Sequence, residues 1–257
     1  MTIYMQTAAR PVKEAPMSEA ERKARVELAA AYRIFDMLGW SLLIFNHITL
    51  RVAGPEPRFL INPFGLHYSE ITASSLLLVD LEGNVLRESR WPMNRAGFVI
   101  HSALHESQPE AHCIMHTHTT TGMAVACLKD GLSPHNFYGA MLQGQVAYHD
   151  FEGITVEPGE KERLVRDIGD KRAVILRNHG LLAWGPSVSQ AFLTLWTLQQ
   201  ACDVQIAAAS AGAIHPVTPQ AIAISVRESG QGEKRTCEDV FAALRRKLDS
   251  IDPSYKE

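Results

Sequence analysis

The strongest constraint on the fold is the alternation of two hydrophobic periods along the chain. Ser18 and Glu21 have the spacing of a capping box, and apolar residues then recur at helical spacing as far as Gly39. Short β-prone runs fill residues 47 to 87, separated by the turn sequences GPEP, NPFG and EGN. This stretch predicts a small antiparallel meander that follows one long helix.

The same alternation continues to the end of the chain. Helices are predicted at 96–108, 187–211 and 235–249, with the segment between the last two exposed, and strands are predicted at HCIMHTH and on both sides of a tight NHG turn. Because no linker or repeat interrupts the pattern, we predict one α/β domain, residues 18–257, with a mixed or antiparallel sheet between helical layers. Residues 1–17 carry two prolines and no periodicity, which predicts a flexible N-terminal arm.

Composition and motifs exclude several classes of function. The chain has 25 Lys and Arg against 28 Asp and Glu, so its formal charge of −3 provides no field that would attract nucleic acid or an anionic membrane. Four scattered cysteines and the lack of an apolar leader indicate a cytoplasmic protein. We find no glycine-rich phosphate loop and no GxSxG sequence, which argues against nucleotide binding and acyl-enzyme chemistry.

The stretch CIMHTHTTTG places two histidines one residue apart at the end of an apolar run. In an extended strand, His116 and His118 point to the same side, so that both imidazoles can converge on one ion. A catalytic zinc site usually has three protein ligands, and His179 in the NHG turn is the best third candidate. The alternatives are that the pair is simply two satisfied polar residues in a strand and that NHG is only a hairpin turn.

The remaining histidines divide into two groups. His101 and His105 share one face of the predicted 96–108 helix and could orient ligand imidazoles; alternatively, His101 is a packed core residue and His105 faces solvent. The spacing of the others indicates no chemistry, and we assign no role to His47, His67, His112, His135, His149 and His215.

The segment HESQPEAHCIMHTHTTTGMAVA, followed by RNHGLLAWG, resembles the class II aldolase and adducin family over residues 20 to 225. The resemblance implies a three-layer α/β/α fold with a mostly antiparallel central sheet and assembly as a homotetramer. It also implies that His116, His118 and His179 bind Zn²⁺ or another divalent metal. In the enzymes of this family, the metal stabilises an enediolate of a small-molecule carbonyl substrate. A tyrosine that enters the neighbouring subunit's site donates a proton; its match here is Tyr138, for which an ordinary surface contact is the alternative.

The sequence differs from the family enzymes at the positions of their general acid/base and of their phosphate-binding residues. Their general acid/base glutamate stands nineteen residues before the first motif histidine, which is Gly97 here, and two phosphate-binding serines fall at Arg95 and Ala96. The threonine of their phosphate-binding turn is replaced by Phe64, although Gly65 remains as a match for substrate binding. Arg95 could grip a carboxylate, or it could be a surface arginine.

These departures lead to three hypotheses. The first is a zinc-dependent, aldolase-like carbon–carbon lyase that acts on a small, non-phosphorylated hydroxy- or oxo-carbonyl compound. The second is a non-catalytic, adducin-like binding or scaffold domain. The third is a metal-dependent epimerase or decarboxylase that uses the same enediolate. Glu106 and Asp150 are conceivable substitutes for the missing acid.

Overall fold

The computed structural model describes residues 17–153, 159–230 and 233–257, and only the backbone at positions 95, 96 and 233. The predicted N-terminal arm therefore lies outside the described residues, apart from Met17. The helices are α1 (Glu19–Met37), α2 (Arg95–Ser107), α3 (Thr120–Cys127), α4 (Phe137–Met141), α5 (Glu160–Ile168), α6 (Val188–Ala211), α7 (Pro219–Ser229) and α8 (Glu233–Ile251). The strands are β1 (His47–Val52), β2 (Arg58–Ile61), β3 (Leu77–Val79), β4 (Cys113–Thr117), β5 (Val146–His149), β6 (Ala173–Leu176) and β7 (Gly180–Gly185).

The seven strands form one sheet in the order β3-β2-β1-β4-β7-β6-β5. All neighbouring pairs are antiparallel except β5 and β6, which are parallel. The predicted, mostly antiparallel sheet is therefore confirmed, and β4 lies at its centre. The strand that carries the HxH sequence is thus paired on both edges, which holds its backbone rigidly.

The sheet is covered by helices on both faces, as the three-layer expectation requires. Along β4, Cys113 and Met115 pack into the larger core with α1, α6 and α8, whereas Ile114 points to the opposite core with α2 and α5. By the same alternation, His116 and His118 point toward the α2 side of the sheet. Among the described residues, every helix falls short of the length and apolar content that a membrane span requires.

Most of the predicted helices and strands are present, with differences of one or two residues at their ends. Ser18 caps α1 by accepting a hydrogen bond from Glu21 N at 3.1 Å, as its spacing predicted. Three elements, α4, β5 and α7, were not predicted. The segment between α6 and α8 is exposed as predicted, since α7, which lies in it, has no buried residue.

A buried tyrosine joins α1 to the start of the sheet. The Tyr32 hydroxyl accepts hydrogen bonds from Ile48 N at 2.8 Å and Asn62 N at 3.1 Å, and its oxygen lies 2.5 Å from Ile48 O. Tyr32 is fully buried, and burial raises the pKa of its hydroxyl above the ordinary value. This contact fixes the backbone beside His47, the first residue of β1.

We expect Tyr32→Phe to destabilise the protein, because two buried backbone N–H groups lose their acceptor. Each unpaired buried group costs about 1–3 kcal/mol. The matched control is Tyr68→Phe: Tyr68 is also fully buried, but its hydroxyl has no hydrogen-bond partner among the described residues. Urea unfolding should show a large loss of stability for the first variant and little or none for the second; equal losses would contradict this account.

Candidate metal centre

The turn between β6 and β7 brings a third histidine to the end of β4. Asn178 adopts a left-handed backbone conformation, with φ of 57°, and Gly180 follows His179 as the first residue of β7. A Cβ on Gly180 would lie 2.4 Å from Thr117 O, so only glycine allows the turn to approach β4 this closely. The NHG sequence is therefore what lets His179 reach His116 and His118.

The three imidazoles surround one point. Their ring centroids are 4.4 Å apart for His116 and His118, 4.8 Å for His116 and His179, and 4.9 Å for His118 and His179. One nitrogen from each ring lies within 4.8 Å of the others, and this is the one such group among the described residues. Three histidine nitrogens form the donor set of a catalytic zinc site with an open position.

Hydrogen bonds fix one of the rings in the orientation that a metal needs. His116 Nδ1 lies 2.8 Å from Leu181 O, so this nitrogen donates to the carbonyl. Nε2 is then the unprotonated nitrogen, and it points into the group, 2.7 Å from Nε2 of His118. A second contact that holds a ligand's tautomer is typical of histidine metal sites.

The electrostatic environment keeps the three imidazoles neutral. Burial lowers the pKa of His116 well below its ordinary value, and the neighbouring histidines lower it further. Burial also lowers the pKa of His118, and burial together with His118 lowers the pKa of His179 to about 4. Because a metal binds the neutral imidazole, this donor set fits a divalent ion at neutral pH.

The sequence interpretation missed Asn46, whose side chain supports the group. Its Oδ1 accepts a hydrogen bond from His118 N at 3.1 Å, while its Nδ2 donates to Trp40 O at 2.6 Å. Asn46 is buried and ties the end of β4 to the loop before β1. The signal was an asparagine directly before a β-prone run, but nothing in the sequence shows which strand it would face.

The turn predicted to bind substrate lies close to this loop. The Phe64 ring is 6.4 Å from the Phe45 ring, which precedes Asn46 in the chain. Gly65 has a φ of 113°, and a Cβ there would lie 3.1 Å from the Trp91 ring, so the position requires glycine. The structure thus places an aromatic pair beside Gly65; the substrate role of Gly65 stays a prediction.

The other predicted site residues lie on other elements of the fold than the three histidines. Tyr138 is on α4, and its ring lies 5.4 Å from that of Trp196 on α6, so its suggested role in a neighbouring subunit stays a prediction. Arg95 begins α2, but its side chain lies outside the described residues. Glu106 and Asp150 are both exposed, and neither belongs to the group of candidate ligands.

A row of further histidines lies behind the triad on the α2 side of the sheet. His101 and His105 are both buried, so the alternative that His105 faces solvent was wrong. Both rings contact the Thr49 hydroxyl, at 2.8 Å for His101 Nδ1 and 2.7 Å for His105 Nε2; within the described part of the chain, neither has a hydrogen bond to a ligand candidate. The His47 ring, to which the sequence assigned no role, lies 5.2 Å from that of His116.

The fold is a three-layer α/β/α domain with a mostly antiparallel sheet, and three imidazoles meet beside the end of its central strand as a candidate metal site. Residues 26–206 match the sequence model described as Class II Aldolase and Adducin N-terminal domain. The chain belongs to the class II aldolase and adducin family.

Relatives from both branches of the family are similar to this chain. An aldolase II superfamily protein from Pseudomonas syringae has 41% identity and a TM-score of 0.91, covering 94% of this chain and 98% of that one. L-fuculose 1-phosphate aldolase from Glaciozyma antarctica has 29% identity and a TM-score of 0.81, with 96% and 97% covered. Alpha-adducin from Rattus norvegicus is 46% identical over 76% of this chain but only 27% of its own length.

Proposed function

We propose that this protein is a metal-dependent carbon–carbon lyase of the class II aldolase type, acting on a small, non-phosphorylated hydroxy- or oxo-carbonyl compound. The observation that carries the proposal is the convergence of three neutral imidazoles beside the end of β4, one of them buried and two half-buried. Family membership supports it, since the chain covers nearly the whole length of the two aldolase-type structures described above.

In this proposal His116, His118 and His179 hold Zn²⁺ or another divalent ion. The chemistry that such an ion supplies is Lewis-acid polarisation of a carbonyl oxygen. The protein's own contribution is rigidity: the Leu181 carbonyl holds the His116 ring, and Asn46 holds the backbone of His118. The exposed Phe151 ring, 6.0 Å from that of His179, forms one wall beside the triad.

The proposed substrate class follows from the residues near the site. Phe64 and Phe45 form an aromatic pair beside Gly65, where the family enzymes hold a phosphate with a threonine. An apolar pair offers no hydrogen bond to a phosphate, so a substrate without one is favoured. We further propose that Arg95 anchors a substrate carboxylate and that Tyr138 donates a proton across a subunit interface of a homotetramer.

Two other functions compete with this proposal. The similarity to alpha-adducin and the glycine at position 97 favour a binding or scaffold domain that retains the histidines without lyase activity. A metal-dependent epimerase or decarboxylase would use the same triad. All three hypotheses retain the three histidines; they differ in which reaction, if any, the protein catalyses.

The test is turnover by metal-loaded protein. Purified protein should bind about one divalent ion per chain, and a screen of hydroxy-ketones and oxo-acids should release an aldehyde or pyruvate in a metal-dependent way. Release of carbon dioxide would favour a decarboxylase, and inversion without cleavage would favour an epimerase. Bound metal with no turnover of any screened compound would favour the binding domain, and protein that binds no divalent ion would contradict the metal site.

A further inference from the structure

Position 97 has no side chain, and another residue occupies the space that one would need. A Cβ on Gly97 would lie 2.6 Å from Cε1 of His47 and 2.8 Å from both ring nitrogens, closer than real Cβ atoms approach. Gly97 is in the first turn of α2, where its N–H donates to Asn94 Oδ1 at 3.3 Å. Because α2 is fixed by this cap, any side chain at 97 would have to displace the His47 ring.

The His47 ring lies directly between α2 and the candidate ligands. His47 pairs with His116 across β1 and β4, and their ring centroids are 5.2 Å apart. On its other side, the His47 ring is 4.3 Å from that of His101. His47 is 4% exposed, so its imidazole fills a packed space and has no route to solvent without movement.

Hydrogen bonds fix the orientation of the neighbouring histidines. His105 Nδ1 donates to Ala111 O at 2.7 Å, so its Nε2 accepts from the Thr49 hydroxyl. The Thr49 oxygen then accepts from His101 Nδ1, which leaves Nε2 of His101 unprotonated. One backbone carbonyl thus sets the tautomers of His105 and His101 and keeps the His101 ring in place against His47.

An imidazole is not the side chain expected at position 47 if its only role is to fill the space beside Gly97. Among the described residues, Nε2 of His101 and both ring nitrogens of His47 lack a hydrogen bond of good geometry, and the His47 ring has only loose contacts with the backbone of Phe45 and Gly97. Buried, unpaired polar atoms cost free energy, whereas an aliphatic side chain would fill the same volume without that cost. The position therefore favours a role that requires the ring itself.

We propose that His47 is a positioning residue of the metal centre: its ring, admitted by the missing side chain at Gly97, packs between His101 and His116 and holds the His116 imidazole in its ligand orientation. This inference rests on the proposed function. It also explains position 97, because His47 and a side chain at 97 exclude each other. The buried imidazole of His47 thus occupies the space that the Cβ of an acidic residue at position 97 would need.

The test measures zinc affinity by chelator competition and the visible spectrum of the Co²⁺-loaded protein, which reports ligand geometry. We expect His47→Leu to fold with unchanged or higher apo stability, to bind zinc several-fold more weakly, because a branched aliphatic side chain does not reproduce the contact of the flat imidazole with the His116 ring, and to shift the Co²⁺ bands. A purely space-filling role predicts unchanged affinity and spectrum in this variant, and that result would overturn the proposal.

A double-mutant cycle tests the link to Gly97. Gly97→Ala should weaken zinc binding in the native background, because its Cβ displaces the His47 ring, but should have no further effect when combined with His47→Ala. Gly54→Ala is the control, since a Cβ there meets nothing within 4 Å. Equal effects of Gly97→Ala in both backgrounds would refute the coupling. If the unmodified protein binds no zinc, the proposed function fails as well; unaltered binding in the variants rejects this inference alone.

Discussion

His116→Ala is expected to reduce zinc binding from about one ion per chain to a level that does not survive dialysis. His116 is 1% exposed, and its Nε2 is directed into the triad by the hydrogen bond from Nδ1 to Leu181 O. Two imidazoles remain in the variant, fewer than the three protein ligands usual in catalytic zinc sites. The loss in affinity should exceed the 10–100-fold typical for residues that only orient a ligand.

The matched control for this variant is His112→Ala. His112 is exposed and lies just before β4, so the substitution removes an imidazole close in sequence without touching the triad. Metal content after dialysis should be measured by atomic spectroscopy on both variants, alongside circular dichroism to verify folding. Retention of one zinc ion per chain by folded His116→Ala would exclude the proposed centre, and so would parallel losses in the two variants.

The second large effect is acid unfolding of the metal-free protein between pH 6.5 and about pH 4. Six of the eleven histidines have a pKa below the ordinary value, chiefly through burial; they are His47, His101, His105, His116, His118 and His179. For His47 and His105 the pKa falls to about 3, and for His179 to about 4. These side chains stay neutral in the folded state at pH values where an unfolded chain would protonate them.

The sign of the effect follows from proton linkage. Below the unfolded pKa of about 6.5, the unfolded state binds protons that the folded state does not, so stability falls as the pH falls. The full stability is present only about one pH unit or more above 6.5, and the loss continues down to the lowered pKa of each folded histidine. Each such group contributes up to about 1.4 kcal/mol per pH unit, so three of the six would remove about 8 kcal/mol within about two units, which is comparable with the 5–15 kcal/mol of an ordinary domain.

Urea unfolding at pH 7.5, 6.5 and 5.5 measures this dependence directly. Stability should fall by about 2 kcal/mol between the first two values, because the unfolded histidines are half protonated at pH 6.5, and by several kcal/mol more at the third. His105→Gln should reduce the slope by about 1.4 kcal/mol per pH unit, whatever its effect on absolute stability, because one linked proton is removed. A flat profile from pH 7.5 to 5.5 would show that the buried histidines are not coupled to folding in this way.

Much of the architecture follows from local patterns. The cap at Ser18, the period of α1 and α6, and the alternation in β4 were all predicted, because they depend on neighbours within a few residues. The helix α7 and the short strand β5 were not. In α7 no residue is buried, and β5 is defined by its parallel partner β6 rather than by its own composition.

The candidate site was likewise predictable where its signals are local and not where they depend on distant residues. The sequence alone singled out His116, His118 and His179 as candidate ligands, because alternation in a strand and an NHG turn are local signals, and it shows a glycine rather than an acid at position 97. Only the tertiary structure could show that His47 occupies the space beside Gly97 and that Asn46 holds His118. These contacts join residues about fifty to seventy positions apart, which the pairing of β1 with β4 and the packing of α2 on the sheet bring together. The sequence states which residues are available, but strand register and packing decide which side chain fills a given space.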